Sequence, residues 1–170
     1  MRRSNLYVDV FIVIIAVSLV IAVYSYYEVE NLNSLYSVHS VYINTSGTCT
    51  GNLSTMMLFY SSSCPTCGLE LSAFENVTSL FGLWSGGRFY SPYFCAYAIN
   101  LTQYNQNASS VFVPANTITI FNKLSKGDVP FLTFGDHYYK IGGYYNYSKD
   151  YAEIFRYICL SINNSAPQCS

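Results

Sequence analysis

The sequence predicts an α/β domain, a central mixed β-sheet flanked by helices, with an N-terminal transmembrane helix in front of it. Three observations carry that expectation. An apolar run near the start has the length of a bilayer-spanning helix. Two short apolar runs of strand character bracket a segment with helical period. A later pair of strand-like runs is joined by a Gly-Asp turn and followed by a helical stripe. With 170 residues, 51% of them hydrophobic, the chain can bury one core of ordinary size.

Val10 to Val23 contains one polar residue, Ser18, and extending the run to Leu6 and Tyr27 gives a span of about 20 residues. Arg2 and Arg3 precede it, and Tyr24, Tyr26 and Tyr27 close it. Positive charge favours the cytoplasm and aromatic rings favour the interface. Residues 1–7 are therefore expected inside, 8–27 as a signal-anchor in the cell membrane, and the rest outside as the larger part of a single-pass protein. A cleaved signal peptide competes with this reading, but bulky tyrosines follow Ala22-Val23, where a small-residue cleavage site would stand.

Residues 28–50 are polar and read as a stalk, with a short strand around Val38 to Ile43 joining the sheet edge. Residues 51–170 form the domain. Met56 to Tyr60 is a buried strand, broken by Ser61-Ser62-Ser63. Cys64-Pro65-Thr66-Cys67 then opens a helix ending near Phe81, with Leu71, Phe74, Thr78 and Phe81 on one stripe. Gly82, Gly86 and Gly87 mark a turn. Phe94 to Leu101 is a second strand, parallel to the first because a helix connects them. After an Asn-rich loop, a short helix spans about Thr117 to Ser125 and stops at Gly127. Phe131 to Phe134 and Tyr138 to Ile141 form an antiparallel pair around Gly135-Asp136. Ser148 is the expected N-cap of the last helix, with Asp150 in its first turn. Tyr151, Ile154, Phe155, Ile158 and Ile162 make that helix's apolar face.

Charge is scarce. Only 10% of residues are Asp, Glu, Lys or Arg, against roughly 25% in an average soluble domain. The net charge is −1, with no basic run beyond Arg2 and Arg3, so nothing would neutralise a phosphate backbone and nucleic acid is not an expected partner. Hydroxyls and amides take over the surface. Seven Asn-X-Ser/Thr sequons, at Asn44, Asn52, Asn76, Asn100, Asn107, Asn146 and Asn163, suit a glycoprotein outside the cytoplasm.

The chemistry centres on Cys64 and Cys67. Disulfide exchange needs a thiolate, and an isolated cysteine has a pKa near about 8.5. At a helix N-terminus, free backbone N–H groups and the macrodipole favour the anion on Cys64. Pro65 fits the first turn, where its missing N–H costs nothing. Cys67, one turn on and sheltered by the helix, closes the redox-active disulfide. Cys64 is thus the expected nucleophile and Cys67 the resolving cysteine.

The strand–CPTC–helix unit, the strand opened by Val129-Pro130, and the hairpin leading through Gly142-Gly143 into a last helix together resemble the thioredoxin superfamily, over about Met56 to Ile162. The resemblance implies a thioredoxin-like fold and an oxidoreductase that acts on protein thiols or disulfides, without a cofactor and with a membrane redox partner to reset the pair. It also implies a cis Val129–Pro130 bond beside the cysteines, with Val129 offering its backbone to an extended substrate. Valine there is similar to the DsbA-type oxidases. The chain departs from the family in its Pro-Thr dipeptide, in Ser63 where a tryptophan precedes the motif, and in a strand, MMLFY, without a buried acid.

Two other readings of the pair remain: a copper-delivery module using Cys64, Cys67 and a distant histidine, and a redox-silent interaction module. Zinc would need two further ligands at suitable spacing, and His39 and His137 stand alone. Of the other cysteines, Cys169 lies ten residues past Cys159, so a tail folded back would join them, leaving Cys49 with Cys95. One of these pairs relaying electrons to Cys64 and Cys67 is the alternative.

Overall fold

The computed structural model describes residues 11–26, 38–45, 49, 53–85 and 88–170. The chain divides into two compact units, Met1–Leu35 and Tyr36–Ser170. The described part of the first is one helix, α1, over residues 11–26. This corrects the expected anchor. Among the described residues no helix is long and apolar enough to cross a membrane. At about 1.5 Å per residue α1 rises about 24 Å, short of the ~30 Å of bilayer hydrocarbon. The transmembrane part of the predicted fold class falls with it. So does the single-pass cell-membrane topology, with the N-terminus inside and the C-terminal domain outside.

The second unit is a mixed α/β fold on a seven-stranded sheet. Its strands are β1 (His39–Ser40), β2 (Ser54–Tyr60), β3 (Leu83–Ser85), β4 (Arg88–Tyr90), β5 (Phe94–Asn100), β6 (Phe131–Phe134) and β7 (Tyr138–Ile141). The helices are α2 (Cys67–Thr78), α3 (Leu101–Gln106), α4 (Thr117–Ser125) and α5 (Tyr147–Ser161). The spatial order is β1-β7-β6-β2-β5-β4-β3. β2 lies at the centre, parallel to β5 from Ser54↔Phe94 to Tyr60↔Asn100 and antiparallel to β6.

The central position explains why β2 is continuously apolar. Its side chains alternate between two faces, and both faces are covered. Met56 and Leu58 pack with Phe74 and Val77 of α2 and Ile154 and Ile158 of α5. Met57 and Phe59 face the other way, where Phe59 stacks on Phe121 of α4 at 4.8 Å. All four β2 side chains are fully buried, each worth about 1.5–3 kcal/mol of hydrophobic stabilisation.

The segment 83–90, expected only as a turn region, holds the β3–β4 hairpin, which pairs Leu83 with Tyr90. α3 is also absent from the sequence expectation, and Asn100 caps it by accepting from the N–H groups of Thr102 and Gln103. α2 stops at Thr78, after which the N–H groups of Leu80 and Phe81 bond tightly back to Val77 and Thr78. The N-cap of α5 is Asn146 rather than Ser148, because the Asn146 side-chain Oδ1 accepts from Lys149 N–H at 3.3 Å. β1 runs antiparallel to β7, and Ile43 N–H donates to the Asp136 carbonyl at 2.8 Å, so the chain joins the sheet before residue 51.

Candidate active site

β2 delivers the chain to the mouth of the sheet, and the loop Ser61–Thr66 carries it into α2. A set of neutral hydrogen bonds shapes that loop. The Ser61 hydroxyl meets the Ser63 and Thr102 hydroxyls at 3.0 Å each, and Ser62 N–H donates to Thr102 Oγ1 at 3.1 Å. Asn100 Nδ2 donates to Ser62 Oγ at 3.3 Å. Cys64 N–H closes the turn on the Ser61 carbonyl at 3.2 Å.

Cys64 and Cys67 form a disulfide with Cα atoms 5.3 Å apart. Their exposure differs sharply: Cys64 is half-buried, whereas Cys67 is only 1% exposed. The Cys64 sulfur has three polar neighbours. Cys67 N–H donates to it at 3.2 Å, the Thr66 hydroxyl lies at 3.6 Å and the Val129 carbonyl oxygen at 3.8 Å. The Val129–Pro130 bond is cis. Val129 is half-buried and Pro130 is buried, with the Pro130 carbonyl accepting from Gly142 N–H at 2.7 Å. Cys64, Cys67, Val129 and Pro130 thus meet at one corner.

Directly behind that corner lies a buried ionic cluster. Lys140 of β7, fully buried, reaches Glu70 of α2 at 3.2 Å and Asp150 and Glu153 of α5 at 2.9 and 2.8 Å. One ammonium cannot balance three carboxylates. Burial pushes the Glu70 carboxyl up to about 9, against the pull of Lys140 and helped by its hydrogen bond to Asp150, so Glu70 keeps its proton at neutral pH. Burial also works against the Lys140 ammonium, but its carboxylate neighbours outweigh that and hold its pKa above the ordinary lysine range. Gly143 joins the cluster to the corner. A Cβ there would stand 2.5 Å from Glu70 Oε2 and 3.3 Å from Pro130 Cγ.

The remaining cysteines pair as Cys49–Cys95 and Cys159–Cys169, with Cα separations of 5.8 and 5.6 Å. His137 precedes β7 at the hairpin turn, at the end opposite Pro130, while His39 packs on Tyr139 at 5.1 Å. Among the described residues no group of three or more His, Cys, Asp or Glu side chains is arranged to hold a metal ion. Asn44, Asn76, Asn107, Asn146 and Asn163 are exposed, and Asn52 lies outside the described residues. Asn100 is 8% exposed, and its Nδ2, the atom that a glycan would occupy, is bonded to Ser62. The Asn100-Leu101-Thr102 sequon therefore works as scaffold for the cysteine loop.

Sequence reasoning missed Asn100 and Thr102 in that role, as well as Glu70, Lys140 and Asp150 as a cluster. A signal was present for two of them. Glu70 falls between Cys67 and Phe74 on the buried side of α2, and Lys140 interrupts an otherwise apolar and aromatic strand. No family model, curated protein or solved structure matches the chain.

Proposed function

We propose that this protein is a thiol–disulfide oxidoreductase of thioredoxin type. It exchanges disulfides with protein substrates through Cys64 and Cys67, in an oxidising compartment, with a redox partner that resets the pair. The observation that carries this reading is the unequal exposure of two bonded cysteines at the start of one helix: Cys64 is half-buried and Cys67 is 1% exposed. A substrate thiolate has access to one sulfur only. Attack at Cys64 forms a substrate–Cys64 bond, breaks the Cys64–Cys67 bond and releases Cys67 as a thiolate, which takes up a proton. A second substrate thiolate then attacks the substrate sulfur of the mixed disulfide, and Cys64 leaves as a thiolate. The substrate gives up two electrons and the protein's disulfide gains them. The reverse sequence reduces a substrate disulfide, with Cys64 attacking and Cys67 resolving.

Three further features support the reading. The Val129 carbonyl faces the Cys64 sulfur, as a backbone site for an extended substrate would. The rim of hydroxyls formed by Ser61, Ser62, Ser63 and Thr102 is neutral, which suits varied polypeptide substrates. The Cys159–Cys169 and Cys49–Cys95 bridges suit an oxidising compartment.

The test is a trapping experiment. Cys67→Ser keeps the attacking sulfur but lacks the resolver, so reductant-sensitive substrate adducts should accumulate on a non-reducing gel of cells expressing it. Cys64→Ser should trap almost none. Equal adducts with both variants would overturn the assigned roles, and none with either would end the oxidoreductase reading.

A further inference from the structure

Two sequons flank one short helix. Asn100 is the N-cap of α3 and Asn107 its C-cap, and each begins an Asn-X-Ser/Thr triplet. Their side-chain amides are used in different ways. Asn100, at the buried end of β5, spends both ends of its amide. Its Oδ1 accepts from the N–H groups of Thr102 and Gln103, and its Nδ2 donates to Ser62 Oγ at 3.3 Å. At Asn107 only the oxygen is engaged. It accepts from the Ser109 N–H at 3.2 Å and from the Ser109 hydroxyl at 2.6 Å. The Asn107 backbone is held as well: its N–H donates to the Gln103 carbonyl at 2.8 Å, and its carbonyl accepts from the Ser110 hydroxyl at 2.7 Å. Its Nδ2 has no partner among the described residues. Asn107, Ala108, Ser109 and Ser110 are all exposed.

We propose that Asn107 carries an N-linked glycan and that Asn100, at the other end of the same helix, stays bare. A sugar on asparagine replaces one of the two Nδ2 hydrogens and needs open space beyond the nitrogen. Asn107 gives up no hydrogen bond to accept it, because the contacts that fix its side chain run through Oδ1. Those contacts span two residues, so the turn needs nothing from the rest of the fold. At Asn100 a sugar would stand in a residue only 8% exposed and break the tie that holds Ser62 ahead of Cys64. The donor class is an oligosaccharide carried on a polyprenyl phosphate. The bond from Nδ2 to the anomeric carbon forms, the bond from that carbon to the phosphate oxygen breaks, and the amide proton leaves with the lipid phosphate. Nothing is oxidised or reduced. α3 has six residues and rises about 9 Å, so the glycan is rooted beside the cysteine corner and leaves Cys64 open. The inference goes beyond the oxidoreductase reading and shares with it only the oxidising compartment.

The experiment purifies the full chain, affinity-tagged, from its own cells. Chymotrypsin cuts after Tyr104, which separates Asn100 from Asn107, and mass spectrometry with electron-transfer fragmentation reads each peptide. The Asn107 peptide should carry sugar mass and the Asn100 peptide none. Asn107→Gln and Ser109→Ala should each lose that glycan, whereas Ser109→Thr, which keeps the hydroxyl, should retain it. A bare Asn107 in the parent protein would overturn the proposal, as would a glycan on Asn100 or a glycan kept by Ser109→Ala. The parent chain alone decides both sites, so the result does not depend on any variant folding. Adduct trapping by Cys67→Ser should be the same with and without Asn107→Gln, so failure of either proposal is visible apart from the other.

Discussion

One helix serves two regions that handle charge in opposite ways. At the start of α2, among the described residues, no charged group contacts the Cys64 sulfur. Its neighbours are a backbone N–H, a hydroxyl and a carbonyl. One turn later Glu70 enters a largely buried cluster where Lys140 meets three carboxyl groups, of which that of Glu70 keeps its proton. In the proposed exchange the first region would meet a charge that comes and goes, and neutral donors can answer it without a standing desolvation penalty. The second buries Lys140 and Asp150 completely and leaves Glu153 19% exposed at its edge, and each charge is tolerable only because the others are in place. Proximity on one helix does not make two sites alike: what decides the chemistry is whether water can return when the charge changes.

The largest expected effect breaks the second region alone. Lys140→Met removes the cation that Glu70, Asp150 and Glu153 share and leaves Asp150 and Glu153 without that counter-charge. The expected loss is about 3–5 kcal/mol of folding stability, read from urea unfolding. At temperatures where the variant remains folded, the pH midpoint for alkylation of Cys64 in the reduced protein should be unchanged. A loss below about 1 kcal/mol would mean that the cluster opens to water, and the contrast between the regions would dissolve.

A smaller effect sits on the seam. Gly143→Ala introduces a Cβ 2.5 Å from Glu70 Oε2 and 3.3 Å from the Pro130 ring, and although Glu70 Oε2 ends a side chain, that side chain is fully buried and tied to Lys140 through its other oxygen. A destabilisation of about 1–3 kcal/mol is expected. Unlike Lys140→Met, it should also slow exchange at Cys64, because Pro130 and Val129 must shift with it. Equal activity per folded molecule would show that the two regions are mechanically independent.

The smallest effect is a slope. Glu70 retains its proton in the folded protein to about pH 9, whereas an unfolded glutamate ionises near 4.5. Across that window the folded state binds one proton more than the unfolded state, so this group's stabilising contribution is fully present below pH 4.5. It falls steadily as pH rises and is gone above about 9. Glu70→Gln keeps a neutral, hydrogen-bonding side chain, so its stability should decline less between pH 6 and pH 9 than that of the parent. Parallel pH profiles for the two proteins would mean that Glu70 is ionised and that another carboxyl carries the extra proton.

Much of the second unit was legible residue by residue. Thr117–Ser125, Phe131–Phe134 and Tyr138–Ile141 have the bounds that period and turn residues predict, since each is short, regular and ended by Gly or a turn. The β3–β4 hairpin was not, although Gly86-Gly87 between two three-residue runs is a hairpin signal. Runs so short have no measurable period. α3 escaped for a similar reason: its six residues lack an apolar face, and its start depends on the Asn100 cap. The expected anchor is overturned because the described helix α1, residues 11–26, rises only about 24 Å, short of the ~30 Å of bilayer hydrocarbon that a run's hydropathy by itself does not measure.

By itself the sequence determined the order of β2, α2, β5, α4, β6, β7 and α5, the buried character of β2 and the position of two cysteines at a helix start. These depend on neighbours within a few residues, where backbone geometry translates period and capping directly into structure. Only the tertiary structure decided which side chains share a site. Glu70 meets Lys140 across 70 residues, and Thr102 meets Ser61 across 41. Neither partner carries a local mark that names the other. The path of the whole chain through the sheet brings them together, and burial then makes a hydrogen bond or a counter-charge obligatory. The sequon at Asn100 makes the distinction concrete. Its three residues spell a modification site, yet packed beside the cysteine loop the same amide and hydroxyl hold Ser62 and Ser61 in position.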